Sequence, residues 1–175
     1  MNRRGFTIVE LLIVIAIMGI LLVLGVVNLR GSQANARDSE RKIDVETIAL
    51  KLEDYLQNGN QDPNCPSQYI SYPSTITSDN TNVFIKCALT DIDIKSLLAP
   101  GITDESYKSF ISATNNDQTI SGVLPQPDIN HYVYQPLMSN GDLCTSSSNG
   151  CCKYNIFYHL EVDNSIEIYR SKNQC

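Results

Sequence analysis

Hydrophobic and polar positions divide this chain into three regimes. In the first, no charge, side-chain amide or proline interrupts Leu11 to Val27, and 19 of the 24 residues from Phe6 to Leu29 are apolar, with only Thr7, Glu10 and Asn28 polar. As a helix rising about 1.5 Å per residue this stretch is roughly 36 Å long, enough to cross a hydrocarbon core of about 30 Å. In the second regime Val45, Ile48, Ala49, Leu52, Tyr55 and Leu56 recur at three- and four-residue intervals, the stripe of a helix with one buried face. Asp44, Lys51 and Asp54 are expected on the opposite, solvated face. No breaker stronger than Gly31 appears before Asn58-Gly59, which reads as a C-terminal stop. The pattern predicts one almost continuous helix from Phe6 to Gln57, roughly 52 residues and on the order of 78 Å. Gly19, Gly25 and Gly31 are the points at which it can bend.

The third regime alternates with period two. Tyr154, Ile156, Tyr158, Leu160 and Val162 share one face of a strand, Asp163-Asn164 offers a turn, and Ser165 to Arg170 returns with Ile166 and Ile168 on one side. His131 to Gln135 alternates as well, with Pro136 expected to end it, and two shorter helices are expected near Asp91 to Ala99 and Thr103 to Ala113. These strands predict an antiparallel sheet packed on the stripe of the long helix, an α+β fold. The chain then divides into residues 1–5, an apolar helix over 6–29, the amphipathic half of the same helix over 30–58, and a globular domain over 59–175.

Charge and composition sharpen this division. Arg3 and Arg4 precede the apolar run with no acid nearby, which orients the N-terminus toward the cytoplasm and everything after Leu29 outside. Residues 1–58 are electrically balanced, whereas residues 59–175 carry six Lys/Arg against twelve Asp/Glu, so the whole net charge of -6 belongs to the exterior region. A phosphate backbone is bound through clustered positive charge, so direct binding of nucleic acid is not expected.

All six cysteines, Cys65, Cys87, Cys144, Cys151, Cys152 and Cys175, also lie in the exterior region, where oxidation is the rule. Joining the adjacent Cys151 and Cys152 is geometrically awkward. The preferred set pairs Cys65 with Cys87, Cys144 with one of the adjacent two, and Cys175 with the other. Zinc is disfavoured because adjacent cysteines lack C-x2-C spacing and only His131 and His159 could supplement them. Asp91-Ile92-Asp93 and Asp79-Asn80 lack the spaced ligands and closing glutamate of an EF-hand. His131 with Asp128 and His159 with Glu161 can be drawn as acid–base couples, but a sheet residue beside a polar neighbour explains each. No G-x-S-x-G, phosphate-binding glycine loop or H-E-x-x-H occurs, so neither catalysis, a metal nor a cofactor is expected.

Ala34-Asn35-Ala36 resembles a signal-peptidase site, but the apolar run is too long for a signal h-region and Arg30 intervenes. Glu10 remains, an ionisable group in the spanning segment that is costly unless it snorkels to the membrane edge or finds a partner. The stretch Arg4-Gly5-Phe6-Thr7-Ile8-Val9-Glu10-Leu11-Leu12-Ile13-Val14-Ile15 resembles the type III signal sequence of type IV pilins and pseudopilins, and the likeness extends to Leu24. Past residue 60 only a general pilin-like layout is similar. The resemblance implies cleavage after Gly5 by a prepilin peptidase that also methylates the new amine of Phe6. It further implies that Glu10 attracts the Phe6 amine of an incoming subunit, because an unpaired charge in lipid or in a packed helical core costs several kcal/mol.

The function implied is that of a structural subunit of an extracellular type IV pilus, inserted first in the cytoplasmic membrane and then polymerised with copies of itself. A membrane platform and a cytoplasmic assembly ATPase are the further partners implied. Adhesion, twitching and DNA capture all use this architecture. A pseudopilin of type II secretion or competence machinery is the alternative within the family, although the calcium-binding C-terminal end of major type II pseudopilins has no counterpart here. A membrane-anchored extracellular binding domain that never polymerises is the alternative outside it. This chain also departs from many type IV pilins in having no proline in its apolar half.

Overall fold

The computed structural model describes residues 6–59, 65, 71–77, 81–146 and 150–173, apart from the side chains of 26–28, 81–83 and 85. One helix, α1, runs from Ile8 to Asn58 without a break at Gly19, Gly25 or Gly31. It starts two residues later than the pattern predicts because Thr7 is its N-cap, in extended conformation. Gly59, at φ 64, closes it by donating its N–H to the Tyr55 carbonyl at 2.9 Å, a left-handed position that suits glycine. From Ile8 to Leu24 every side chain is exposed, whereas Val45, Ile48, Ala49 and Leu52 are wholly buried.

What buries them is a four-stranded sheet in the order β1 (Phe110–Ser112), β2 (Tyr132–Leu137), β3 (Lys153–His159) and β4 (Ile166–Arg170). β2, β3 and β4 are antiparallel neighbours, but β1 pairs with β2 in parallel, Phe110 opposite Tyr132, so the sheet is mixed rather than antiparallel throughout. Tyr132, Tyr134, Tyr154, Ile156 and Tyr158 face α1, while Val133 and Phe157 join Ala113 and Val123 in a smaller core on the far side. An eight-residue helix, α2 (Thr81–Ala88), completes the main core with Phe84 and Ala88, Phe84 lying edge-on to Tyr134 at 5.6 Å.

Several local expectations yield to tertiary context. β2 continues through Pro136 because Tyr154 opposite it directs its own carbonyl to Ser171, away from β2, so no ladder donor is lost there. The Pro136 carbonyl points past the end of β1 and accepts the Cys144 N–H at 2.9 Å. Thr103 to Ala113 is not a helix: the Asp104 carboxylate takes the Ser106 N–H at 2.9 Å, an Asx turn, and Phe110–Ser112 is drawn into the sheet. Only a single 3-10 turn, Ile94–Leu97, forms in the other expected helix, with Asp91 at φ 56 and Asp93 capping Lys95. The strand at Tyr154 stops at His159, and Val162 is exposed. α2 carries Phe84, Cys87 and Ala88 at helical spacing, a signal that was present in the sequence and overlooked.

Among the described residues two disulfides staple the domain, Cys65 to Cys87 and Cys144 to Cys151. Cys151 lies in the core beside Cys144, and its neighbour Cys152 is disulfide-bonded as well. Cys175 is outside the described residues.

The contact between α1 and the sheet is polar as well as apolar, and this overturns the expectation that Asp44 is solvated. Asp44 is only 7% exposed and accepts the Tyr132 hydroxyl at 3.2 Å, while Lys51 is half-buried and Asp54 alone of the three is exposed. Glu53 is buried too, accepting the hydroxyls of Tyr72 at 2.8 Å and Tyr154 at 3.3 Å and the Lys172 N–H at 3.0 Å. Asp38 takes the N–H groups of Glu161 and Val162 at 2.8 and 2.9 Å and the guanidinium of the buried Arg41, while Arg37 grips Glu161 from the side. Burial pushes Asp38 up, but these two N–H donors and Arg41 outweigh it and hold the group below the ordinary carboxylate range.

Asp44 goes the other way. Burial, helped by the nearby Glu40 charge, raises its pKa from 3.8 to about 7 against the opposing Tyr132 hydrogen bond. Because the folded value is the higher one, the stability Asp44 contributes is fully present below about pH 4 and is lost as pH rises through 7. Asp44→Asn is therefore expected to match the parent in urea midpoint below about pH 4 and to exceed it by more at pH 8 than at pH 5. An equal midpoint difference at both values would show that Asp44 is not held protonated.

Candidate functional site

The N-terminal turn of α1 is the segment whose chemistry is specific. Phe6 lies outside the helix and is 90% exposed, Thr7 caps it, and Glu10 sits three residues on, at the end of the first turn. Thr7 Oγ1 accepts the Glu10 N–H at 3.2 Å, and Glu10 Oε2 in return accepts from the Thr7 backbone N–H and from Thr7 Oγ1, each at 2.8 Å. This is a capping box, two orphan N–H groups satisfied reciprocally. Glu10 thereby has a partner within its own chain, and its Oε1 carries no hydrogen bond among the described residues. The signal was legible as Thr-x-x-Glu before an apolar run, but the reading of Glu10 as a lone acid in lipid passed over Thr7. Its carboxylate also lies at the positive end of the helix dipole, where a negative charge is favoured.

Gly5, which precedes the expected cut, lies outside the described residues, as do Asp79 and Asn80. Phe6 and Glu10 are both on the exposed apolar end of α1, away from every side chain of the domain core. The other candidates form no comparable site. His131 Nδ1 stands 2.8 Å from an Asp128 oxygen, and its Nε2 stands 3.0 Å from the Tyr107 hydroxyl, at the entrance of β2. His159 and Glu161 do not form a couple: Glu161 is held by Arg37, and His159 Nδ1 is buried without a hydrogen bond. Asp93 serves as a helix cap, and no group of three or more metal-ligating side chains occurs among the described residues.

A family model described as the prokaryotic N-terminal methylation motif matches residues 1–26, the stretch that holds Gly5, Phe6, Thr7 and Glu10. Over these residues the chain carries the N-terminal motif that supports a type IV pilin-like or pseudopilin protein. Comparison with curated proteins and with solved structures finds no match. The motif marks a structural protein family rather than an enzyme and implies processing by a prepilin peptidase and handling by an assembly machinery. Together with the exposed apolar helix it fits a membrane-anchored precursor that is later extracellular. The motif stands at the start of an α+β chain, a long N-terminal helix on a mixed four-stranded sheet with a disulfide-stapled exterior region.

The capping box has a measurable consequence. Thr7→Val removes the oxygen that caps the first turn and one of the two donors on Glu10, while keeping the shape of the side chain. The first turn of α1 should lose about 0.5 to 2 kcal/mol, read as faster amide exchange at Ile8 to Glu10 in detergent micelles with the domain amides unchanged. Unchanged exchange in that turn would show that Thr7 does not cap the helix in solution.

Proposed function

We propose that this chain is a structural subunit of an extracellular type IV pilus, made as a single-pass membrane precursor, cut after Gly5, methylated on Phe6 and polymerised through its apolar helices. The observation that carries this reading is the methylation motif placed on an exposed apolar helix whose first turn presents Glu10. Cleavage would create an ammonium group at Phe6, and a carboxylate in an apolar surrounding is the group that neutralises it. The capping box leaves one oxygen of Glu10 for that purpose, so the carboxylate is already oriented when an incoming copy's Phe6 arrives. An unpaired charge among packed apolar helices costs several kcal/mol, so the pairing selects one axial position of the new copy relative to the old. The chain breaks no bond itself. Its proposed partners are further copies of itself, the peptidase that cuts and methylates it, a membrane platform and an assembly ATPase. The disulfides of the exterior domain suit a surface filament, since each such staple contributes about 2 to 4 kcal/mol to a small domain outside the cell.

Two substitutions test the reading. Glu10→Ala should leave the mature N-terminus at Phe6, as seen by mass spectrometry, and should lower the yield of sheared surface fibres at least severalfold; normal fibre yield would remove Glu10 from assembly. Gly5→Val should crowd the peptidase site, so that the chain keeps residues 1–5 and forms no fibres, and complete processing of this variant would refute the proposed cut. Wild-type chain that keeps residues 1–5 and stays dispersed in the membrane would identify a non-polymerising anchor instead.

A further inference from the structure

The exterior domain holds a cavity of about 590 Å³ that the processing end of the chain does not use. Its volume lies in the range of sites for small molecules, roughly 300 to 1,000 Å³. Ile76, Ile94, Leu97, Leu98 and Phe110 supply an apolar wall. Leu97, Leu98 and Phe110 are otherwise buried, whereas Ile94 is 50% exposed and stands at the mouth. An apolar body placed there would take further hydrophobic surface out of water.

The charge at this cavity is the reverse of the region around it. Residues 59–175 carry six Lys/Arg against twelve Asp/Glu, yet among the lining residues two lysines, Lys86 and Lys108, stand against one carboxylate, Glu105. The nearby Asp93 and Asp104 direct an oxygen to backbone N–H groups instead, Asp93 to Lys95 at 3.0 Å and Asp104 to Ser106 at 2.9 Å. A lysine lays its apolar stem along such a wall and keeps its ammonium group at the water edge. An anionic head there gains charge-assisted hydrogen bonds that a neutral one does not.

The remaining wall is held from outside the cavity. Tyr107 lines it, and the Tyr107 hydroxyl stands 3.0 Å from His131 Nε2, while His131 Nδ1 stands 2.8 Å from an Asp128 oxygen. The rings of Tyr107 and His131 lie 5.5 Å apart. Within the same loop Ser109 Oγ accepts the Ala99 N–H at 2.9 Å, and the Tyr107 N–H binds the Asp104 carbonyl at 3.0 Å. The cavity is thus formed before anything enters it, which lowers the ordering cost of binding. We propose that it is a binding site for a small organic anion, a molecule with an apolar body and one carboxylate, whose body lies on Leu97, Leu98 and Phe110 and whose head meets Lys86 and Lys108. The site is separate from Phe6 and Glu10 and stands whether or not the chain polymerises.

The test uses the full-length chain in nanodiscs of zwitterionic lipid, its isoleucine and leucine methyl groups labelled for NMR, with 2-naphthoate as the probe. The probe should shift the methyl signals of Ile76, Ile94, Leu97 and Leu98 saturably and bind about three- to tenfold tighter than its neutral amide. The cation 2-naphthylmethylammonium should bind more weakly than either. Lys86 and Lys108 are both exposed, so Lys86→Gln combined with Lys108→Gln should keep the parent's domain spectrum while lowering the carboxylate's affinity to that of the amide. Lys86→Arg combined with Lys108→Arg should keep the preference, and Ile94→Glu should remove binding of carboxylate and amide alike. Shifts at none of these methyls, equal affinity for the three probes, or a carboxylate preference that survives the double glutamine variant would overturn the site. Binding that weakens as chain concentration rises would assign the cavity to a second copy, and shifts that grow without saturation would mark an adventitious additive only; either result would overturn the proposal as well.

Discussion

The structure depends on how three carboxylates on one helix, Asp38, Asp44 and Glu53, are taken out of water. A buried carboxylate is tolerated only where donors replace its hydration, and here all three draw on the sheet side of the molecule. Asp38 binds two backbone N–H groups beyond β3, Asp44 the hydroxyl of Tyr132 in β2, and Glu53 two tyrosines and the backbone after β4. Apolar contacts supply the burial, but they tolerate sliding along α1. The carboxylates do not, because each must meet a donor at one point of the axis.

That docking has a directional consequence. Once α1 is held by its domain on one side, the face left to solvent is fixed, and Ile43 and Leu50 stand exposed on it. The three carboxylates also differ in their response to protons. Asp38 is met by charged and backbone donors and favours the ionised form, whereas Asp44 has a single hydroxyl and favours the neutral one. One helix thus holds its domain through contacts of opposite pH sense.

The processing end obeys a different economy. Thr7 and Glu10 satisfy each other in the first turn, so the spanning helix begins with its polar groups already paired. In a surrounding without water this matters more than it would at a solvated helix end, because unsatisfied backbone groups there cost several kcal/mol. The first turn is therefore a defined structure on which the proposed pairing with a second copy acts.

Local periodicity and covalent chemistry alone determined the apolar span, the buried stripe at Val45, Ile48, Ala49 and Leu52, the helix stop at Gly59 and the methylation motif around Phe6 and Glu10. Each of these is a property of neighbours within one or two turns, which the order of residues states directly. The capping box of Thr7 was equally local and was missed only by attending to Glu10 in isolation. The tertiary structure decided what depended on residues far apart. It set β1 parallel to β2, carried β2 through Pro136, chose Cys151 for Cys144, and turned Asp44 inward toward Tyr132 and Glu53 toward Tyr154, 88 and 101 residues away. The sign of a charged residue's exposure follows from whether a donor waits on another strand, and no spacing along the helix records that.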